Sequence, residues 1–206
     1  MLPESLLAAI RPYYLAQDPG HDWSHILRVV KTATDLARAE GADLLVVIPA
    51  AYLHDIVNIP KNHPERSRAS ELAADKAVKL LREHDYDATK LDAIHRAIVE
   101  HSWSRGLTPS SREAACVQDA DRLDAIGAIG VLRCAAVNVQ MKTLFYDAAD
   151  PFAEKRPLDD KQFMLDHYFV KLLKLAETLQ TAQGRIEGEK RVAFMRTFLE
   201  QLKSEI

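Results

Sequence analysis

A chain of 206 residues with 48% hydrophobic content is long enough to bury one substantial core. A formal charge of −3 and a pI near 6.2 lack the concentrated basic field that general nucleic-acid binding needs, so nucleic acid is not an expected partner. Two cysteines, Cys116 and Cys134, offer no disulfide framework, and no uncharged apolar run approaches the roughly 18 residues that cross a bilayer, so a soluble cytoplasmic chain with no membrane partner is expected.

Apolar residues recur at spacings of three and four, while the alternation and Asn-Gly or Asp-Gly turns of an antiparallel sheet are missing. This predicts an all-α protein, a single-domain bundle of about eight helices over residues 1–206. The first helix, 4–15, is amphipathic, and Glu4, Arg11 and Pro12 interrupt any basic-then-apolar leader order. The second, 22–40, opens on Asp22 as its N-cap and stops at Gly41. The third, 43–55, is the most apolar, and Pro49 within it predicts a kink or a later start. Helices over 64–84, 88–102, 111–142, 160–181 and 186–203 follow, with Gly184 separating the last two. Three polar or proline-bearing connections, 56–63, 103–110 and 145–159, are the expected binding loops.

Chemistry concentrates at His25, the pair His54-Asp55, and Asp121. His-Asp dipeptides occur at 21–22, 54–55 and 84–85, and context separates them. No histidine precedes His21, and His84-Asp85 closes a charged, solvated helix end. His54-Asp55 follows Ala50-Ala51-Tyr52-Leu53, where burying two polar side chains requires a strong compensating interaction. Metal coordination supplies one. His25 borders the stripe of Ile26, Val29 and Val30, and Asp22, three residues earlier, is placed either to cap the helix or to orient that imidazole. Asp121 and Asp124 are three apart in an otherwise apolar helix and share a face, while Asp119 points elsewhere. Imidazole and carboxylate together suit first-row divalent metals.

These residues resemble the HD-domain superfamily of metal-dependent phosphohydrolases, in which a histidine, a His-Asp dyad and a later aspartate face one divalent metal. His25-Ile26-Leu27-Arg28-Val29 matches the first motif, Leu53-His54-Asp55-Ile56 the dyad, and Asp121 the last ligand. Asn62-His63-Pro64-Glu65-Arg66, Gln118-Asp119-Ala120-Asp121-Arg122-Leu123 and Arg156-Pro157-Leu158-Asp159-Asp160 look like a small bacterial subgroup of about this length. The resemblance implies one bound metal ion, manganese for preference with iron, cobalt, nickel, magnesium or zinc as alternatives. It also implies hydrolysis of a small nucleotide, a (deoxy)nucleoside triphosphate releasing pyrophosphate or phosphate, by attack of metal-activated water.

Asp55 or Asp124 is the expected proton acceptor. Arg28, Lys61, His63, Arg66 and His101 are the expected phosphate partners. A phosphomonoesterase or cyclic-phosphodiesterase acting on another small phosphorylated substrate is the alternative within enzymology. A non-catalytic regulator binding metal or nucleotide is the alternative outside it. No Gly-x-Ser-x-Gly elbow and no phosphate-cradling glycine loop is present, and no oligomeric state is read from the pattern.

Overall fold

The computed structural model describes residues 2–15, 20–57, 59 and 63–206, with Arg66 described in its backbone alone. Among them all regular structure is helical, apart from an isolated bridge between Leu144 and Phe163. The helices are α1 (Glu4–Ile10), α2 (Pro12–Leu15), α3 (Trp23–Glu40), α4 (Leu44–Leu53), α5 (Ala69–Glu83), α6 (Leu91–His101), α7 (Arg112–Asp124), α8 (Gly127–Met141), α9 (Met164–Val170) and α10 (Ala182–Glu205).

Local chemistry accounts for most departures from the expected spans. Pro12 has no N–H to continue α1, so it starts α2 instead, where the missing donor costs nothing. The expected helix over 111–142 divides between α7 and α8, because Ile126 is extended and Gly127, which opens α8, adopts φ +77°, a left-handed conformation open to glycine. Gly184 does not separate two helices. It lies in the first turn of α10, where an added Cβ would come within 2.5 Å of Thr181 Oγ1 and 2.6 Å of Asp119 Oδ2, so glycine is there for close approach.

Pro49 does not delay α4, which starts at Leu44 under an Asp43 cap whose Oδ1 accepts from the Leu45 N–H at 2.8 Å. A proline at 49 leaves the Leu45 carbonyl without its intrahelical donor. Tyr86 supplies the substitute, its hydroxyl donating to that carbonyl at 2.8 Å.

Contacts gather the chain into two compact units. The first comprises Met1–Asp121 with Gln180–Gly184. Its core packs α3 on α4, α4 on α6 and α5 on α6. α5 presents Ala73, Ala74 and Ala77 on its buried face, small residues that let a neighbouring helix approach closely. Ile26, Val29, Leu53, Leu81, Ile94 and Ile98 are fully buried, each contributing about 1.5–3 kcal/mol. The polar groups of interest sit at helix ends within this frame: His25 in the first turn of α3, His54 just after α4, His101 closing α6, and Asp121 in the last turn of α7. Three of these are C-terminal ends, whose partial negative charge favours a cation.

The second unit comprises Arg122–Leu179 with Arg185–Ile206. There the expected binding loop 145–159 is tied internally. Arg156 donates to Asp166 through Nη1 at 2.5 Å and Nη2 at 2.8 Å, donates from Nε to the Asp150 carbonyl, and lies over the Phe163 ring. No single helix among the described residues is long and apolar enough to cross a membrane.

Candidate metal centre

The site begins with the cap of α3. Asp22 Oδ1 accepts from the His25 backbone N–H at 2.9 Å and from the Ser24 hydroxyl at 2.6 Å, so of the two roles open to it the structure shows capping. This fixes the first turn, and the α3 periodicity then buries His25 on the face of Ile26 and Val29. His54 follows α4 in helical conformation, and its Nδ1 donates to the Ala51 carbonyl at 2.9 Å. That bond places the proton on Nδ1 and leaves Nε2 with a bare lone pair.

Both imidazoles are fully buried, and their Nε2 atoms face each other at 3.3 Å. Asp55 Oδ2 lies 3.8 Å from His25 Nε2 and 3.5 Å from His54 Nε2. Asp121 Oδ1 lies 3.7 Å and 3.8 Å from the same two atoms. His101 completes the group, with Nδ1 donating to the Ile98 carbonyl at 2.5 Å and Nε2 facing Asp55 Oδ1 at 3.7 Å. Asp55 therefore turns one oxygen towards His25 and His54 and the other towards His101.

Burial pushes His54 down to about 4, so it is neutral at physiological pH, the form a metal ligand needs. Burial opposes ionisation of Asp55 and Asp121, yet the facing imidazoles outweigh it and hold both carboxyls below their usual range, Asp55 well below. Burial would also lower His101, but the hydrogen bond and charge of Asp55, with the charge of Asp121, hold it above its usual value.

The donor set fits a divalent cation. Bonds of about 2.1 Å around one ion separate neighbouring donors by roughly 3.0–3.5 Å, close to the observed spacings. A buried lone pair on His54 Nε2 aimed at another imidazole nitrogen, flanked by two ionised carboxylates, also calls for positive charge between them. His25, His54 and Asp121 form one group able to hold an ion, and His54, Asp55 and His101 a second. Since both use the one free nitrogen of His54, they are alternative descriptions of a single site.

The other expected site residues make contacts of their own. Arg28, half-buried on α3, donates from Nη1 to Ser24 Oγ at 3.1 Å. His63 is exposed, and its Nδ1 accepts from the Glu65 N–H. Lys61 and the side chain of Arg66 lie outside the described residues. Asp124 belongs to the second unit, where its nearly buried carboxylate accepts from Arg133 Nη1 at 2.8 Å. Asp124 thus has Arg133 as a partner, while Asp55 is the expected acceptor that lies among the imidazoles. Asp119 does point elsewhere, accepting from the Gln180 and Thr181 backbone N–H groups and the Thr181 hydroxyl. His21, which the sequence places just outside α3, stands edge-on to His25 with ring centres 5.9 Å apart.

The family model for the HD domain matches residues 22–126, a stretch holding His25, His54, Asp55, His101 and Asp121. The chain belongs to the HD domain family. This HD domain protein is 32% identical to the uncharacterized protein YpgQ of Bacillus subtilis, over 92% of this chain and 86% of that one. A crystal structure of B. subtilis YpgQ in complex with ADP matches it with a TM-score of 0.75 at 29% identity, covering 98% of this chain and 94% of that one. An HD-superfamily hydrolase from Bacillus thuringiensis matches with a TM-score of 0.75 at 30% identity, covering 98% and 95%. The HD domain chain thus has the fold of a hydrolase superfamily whose members bind divalent metals, and its clustered His and Asp side chains could hold one.

Proposed function

We propose that this HD domain protein is a divalent-metal-dependent phosphohydrolase acting on a small nucleotide, a (deoxy)nucleoside triphosphate from which pyrophosphate or phosphate is released. The observation that carries the reading is the approach of His25 Nε2 and His54 Nε2 to 3.3 Å between two carboxylates, with the His54 proton held away on Nδ1. His25, His54, Asp55 and Asp121 would hold one ion, with manganese first and iron, cobalt, nickel, magnesium and zinc as other candidates for a mixed imidazole and carboxylate set. When bound, that ion supplies Lewis acidity towards a phosphoryl oxygen and lowers the pKa of water.

The chain's own groups supply the rest. Asp55 Oδ1 and His101 Nε2 face one another at 3.7 Å as an ion pair, so Asp55 is placed to accept a proton and His101 to carry positive charge towards a phosphate oxygen. Arg28, one turn along α3 from His25, adds a second cation. The ADP in the structure of B. subtilis YpgQ supports a nucleotide as the substrate. A manganese-supplemented panel of nucleoside triphosphates, diphosphates, monophosphates, cyclic nucleotides and a generic phosphomonoester tests the reading. Release of pyrophosphate or phosphate from triphosphates is expected. Turnover confined to the monoester or cyclic nucleotide would assign the protein to another phosphohydrolase class, and no turnover of any would remove the enzyme reading.

A further inference from the structure

Gln118 is fully buried in α7, one turn before Asp121. Its Nε2 donates to two carbonyls, Glu100 at 2.6 Å and Leu107 at 3.0 Å, while its Oε1 has no hydrogen-bond partner among the described residues. Both amide protons are therefore spent on the segment that runs from the end of α6 into the loop that follows it. The Glu100 carbonyl is one of the last four of α6, which lack intrahelical donors. Another of those four, Ile98, is satisfied by the ring of His101 itself. The end of α6 that carries His101 is thus held by two side chains, its own histidine and a glutamine from the helix that carries Asp121. Glu100 reinforces the closure, its Oε2 accepting from the Ser110 N–H at 2.8 Å and from the Ser110 hydroxyl.

We propose that Gln118 is a positioning residue for the reaction assigned above, and the claim rests on that reading. By clamping the Glu100 and Leu107 carbonyls to α7, it fixes the ring of His101 against Asp55 and ties that pair to the helix of Asp121. A buried amide donor serving two carbonyls cannot be replaced by an apolar side chain of similar size without freeing that segment. Small misplacements of a phosphate-contacting group are costly in rate.

The test is a double-mutant cycle of Gln118→Met and His101→Ala, with Gln118→Asn as a shorter amide that retains one bond. In the wild-type background Gln118→Met should lower kcat/KM for manganese-dependent triphosphate hydrolysis about tenfold, with manganese affinity changed less than about twofold and Gln118→Asn intermediate. In the His101→Ala background the same substitution should change kcat/KM by less than about twofold. An equal loss in both backgrounds, or none in either, overturns the proposal. A second readout, the imidazole 15N resonances of the metal-free protein, is independent of turnover. Gln118→Met should shift those of His101 and leave those of His95, on the same helix, in place. If the wild type hydrolyses no nucleotide, the reaction assigned above has failed, and unmoved His101 resonances, or equal movement of His95, would overturn the positioning claim separately. If Gln118→Met does not fold, Gln118→Asn carries both readouts with the same criteria.

Discussion

Replacing Tyr86 by phenylalanine removes one hydroxyl, and the structure specifies what that hydroxyl does: it donates to the Leu45 carbonyl that Pro49 leaves without its helical partner. The bond is partly solvent-accessible, so water can take over some of its role. The expected loss is about 0.5–1 kcal/mol, the lower part of the usual range for a hydrogen bond. For a chain of this length that corresponds to a fall in Tm of roughly 1–3 °C. The discriminating measurement is a thermal-denaturation cycle with Pro49→Ala. Alanine at 49 restores an N–H for Leu45, so Tyr86→Phe should then cost about 0.3 kcal/mol or less. If Tyr86→Phe costs the same in both backgrounds, the hydroxyl is not standing in for the missing donor and the account of α4 is wrong. The consequence reaches the site, because α4 delivers His54 and Asp55.

Three further outcomes are expected. Burial would raise the Asp166 carboxyl, but the Arg156 and Asp159 hydrogen bonds and the Arg156 charge outweigh it and hold it below its usual value. Its contribution to stability is therefore complete above the unfolded value of about 4 and lost as pH falls through the lower folded value. Tm measured from pH 5 to 2 should show this loss in the wild type, whereas Asp166→Asn, less stable at pH 7, should lack that component; identical profiles would refute the pairing. Burial, with Asp119 and other acids adding to it, pushes the Cys116 thiol up to about 12, so a thiol reagent at pH 8 should label it only after unfolding, and labelling at the rate of a free peptide thiol would contradict its burial. Gly184→Ala should lower stability by about 2 kcal/mol in urea denaturation, since its methyl meets Thr181 and Asp119; an unchanged midpoint would show that the contact relaxes freely.

The parts of the site legible in the sequence were polar residues in places where polarity is costly. His54 and Asp55 end the most apolar run of the chain, and His25 and Asp121 interrupt helical stripes of aliphatic residues, so each requires a partner even before any fold is known. The structure brings these four side chains together and adds His101, whose position at the end of α6 is an ordinary one for a dipole partner and carries no stronger signal. The partner of Asp124 was not legible, because Arg133 lies beyond the end of α7, on the far side of the turn at Gly127. What Gln118 and Tyr86 hold in place was not legible. Each acts on a carbonyl far along the chain, Tyr86 across 41 residues to Leu45 and Gln118 across 18 to Glu100, and neither partner has a side-chain signature to read. Glycine usually ends helices, which is why Gly184 suggests a stop, whereas here the buried carboxylate of Asp119 needs the space.

Metal content and affinity test the central claim most directly. After chelation and reloading with manganese, the wild type should retain about one ion per chain by elemental analysis and gain thermal stability with added metal, as any ligand specific to the folded state confers. His54→Ala and Asp121→Ala should each remain folded and lose both the ion and the metal-dependent rise in Tm. Equal manganese binding in the wild type and both variants would place the ion elsewhere and contradict a site built from His25, His54, Asp55 and Asp121.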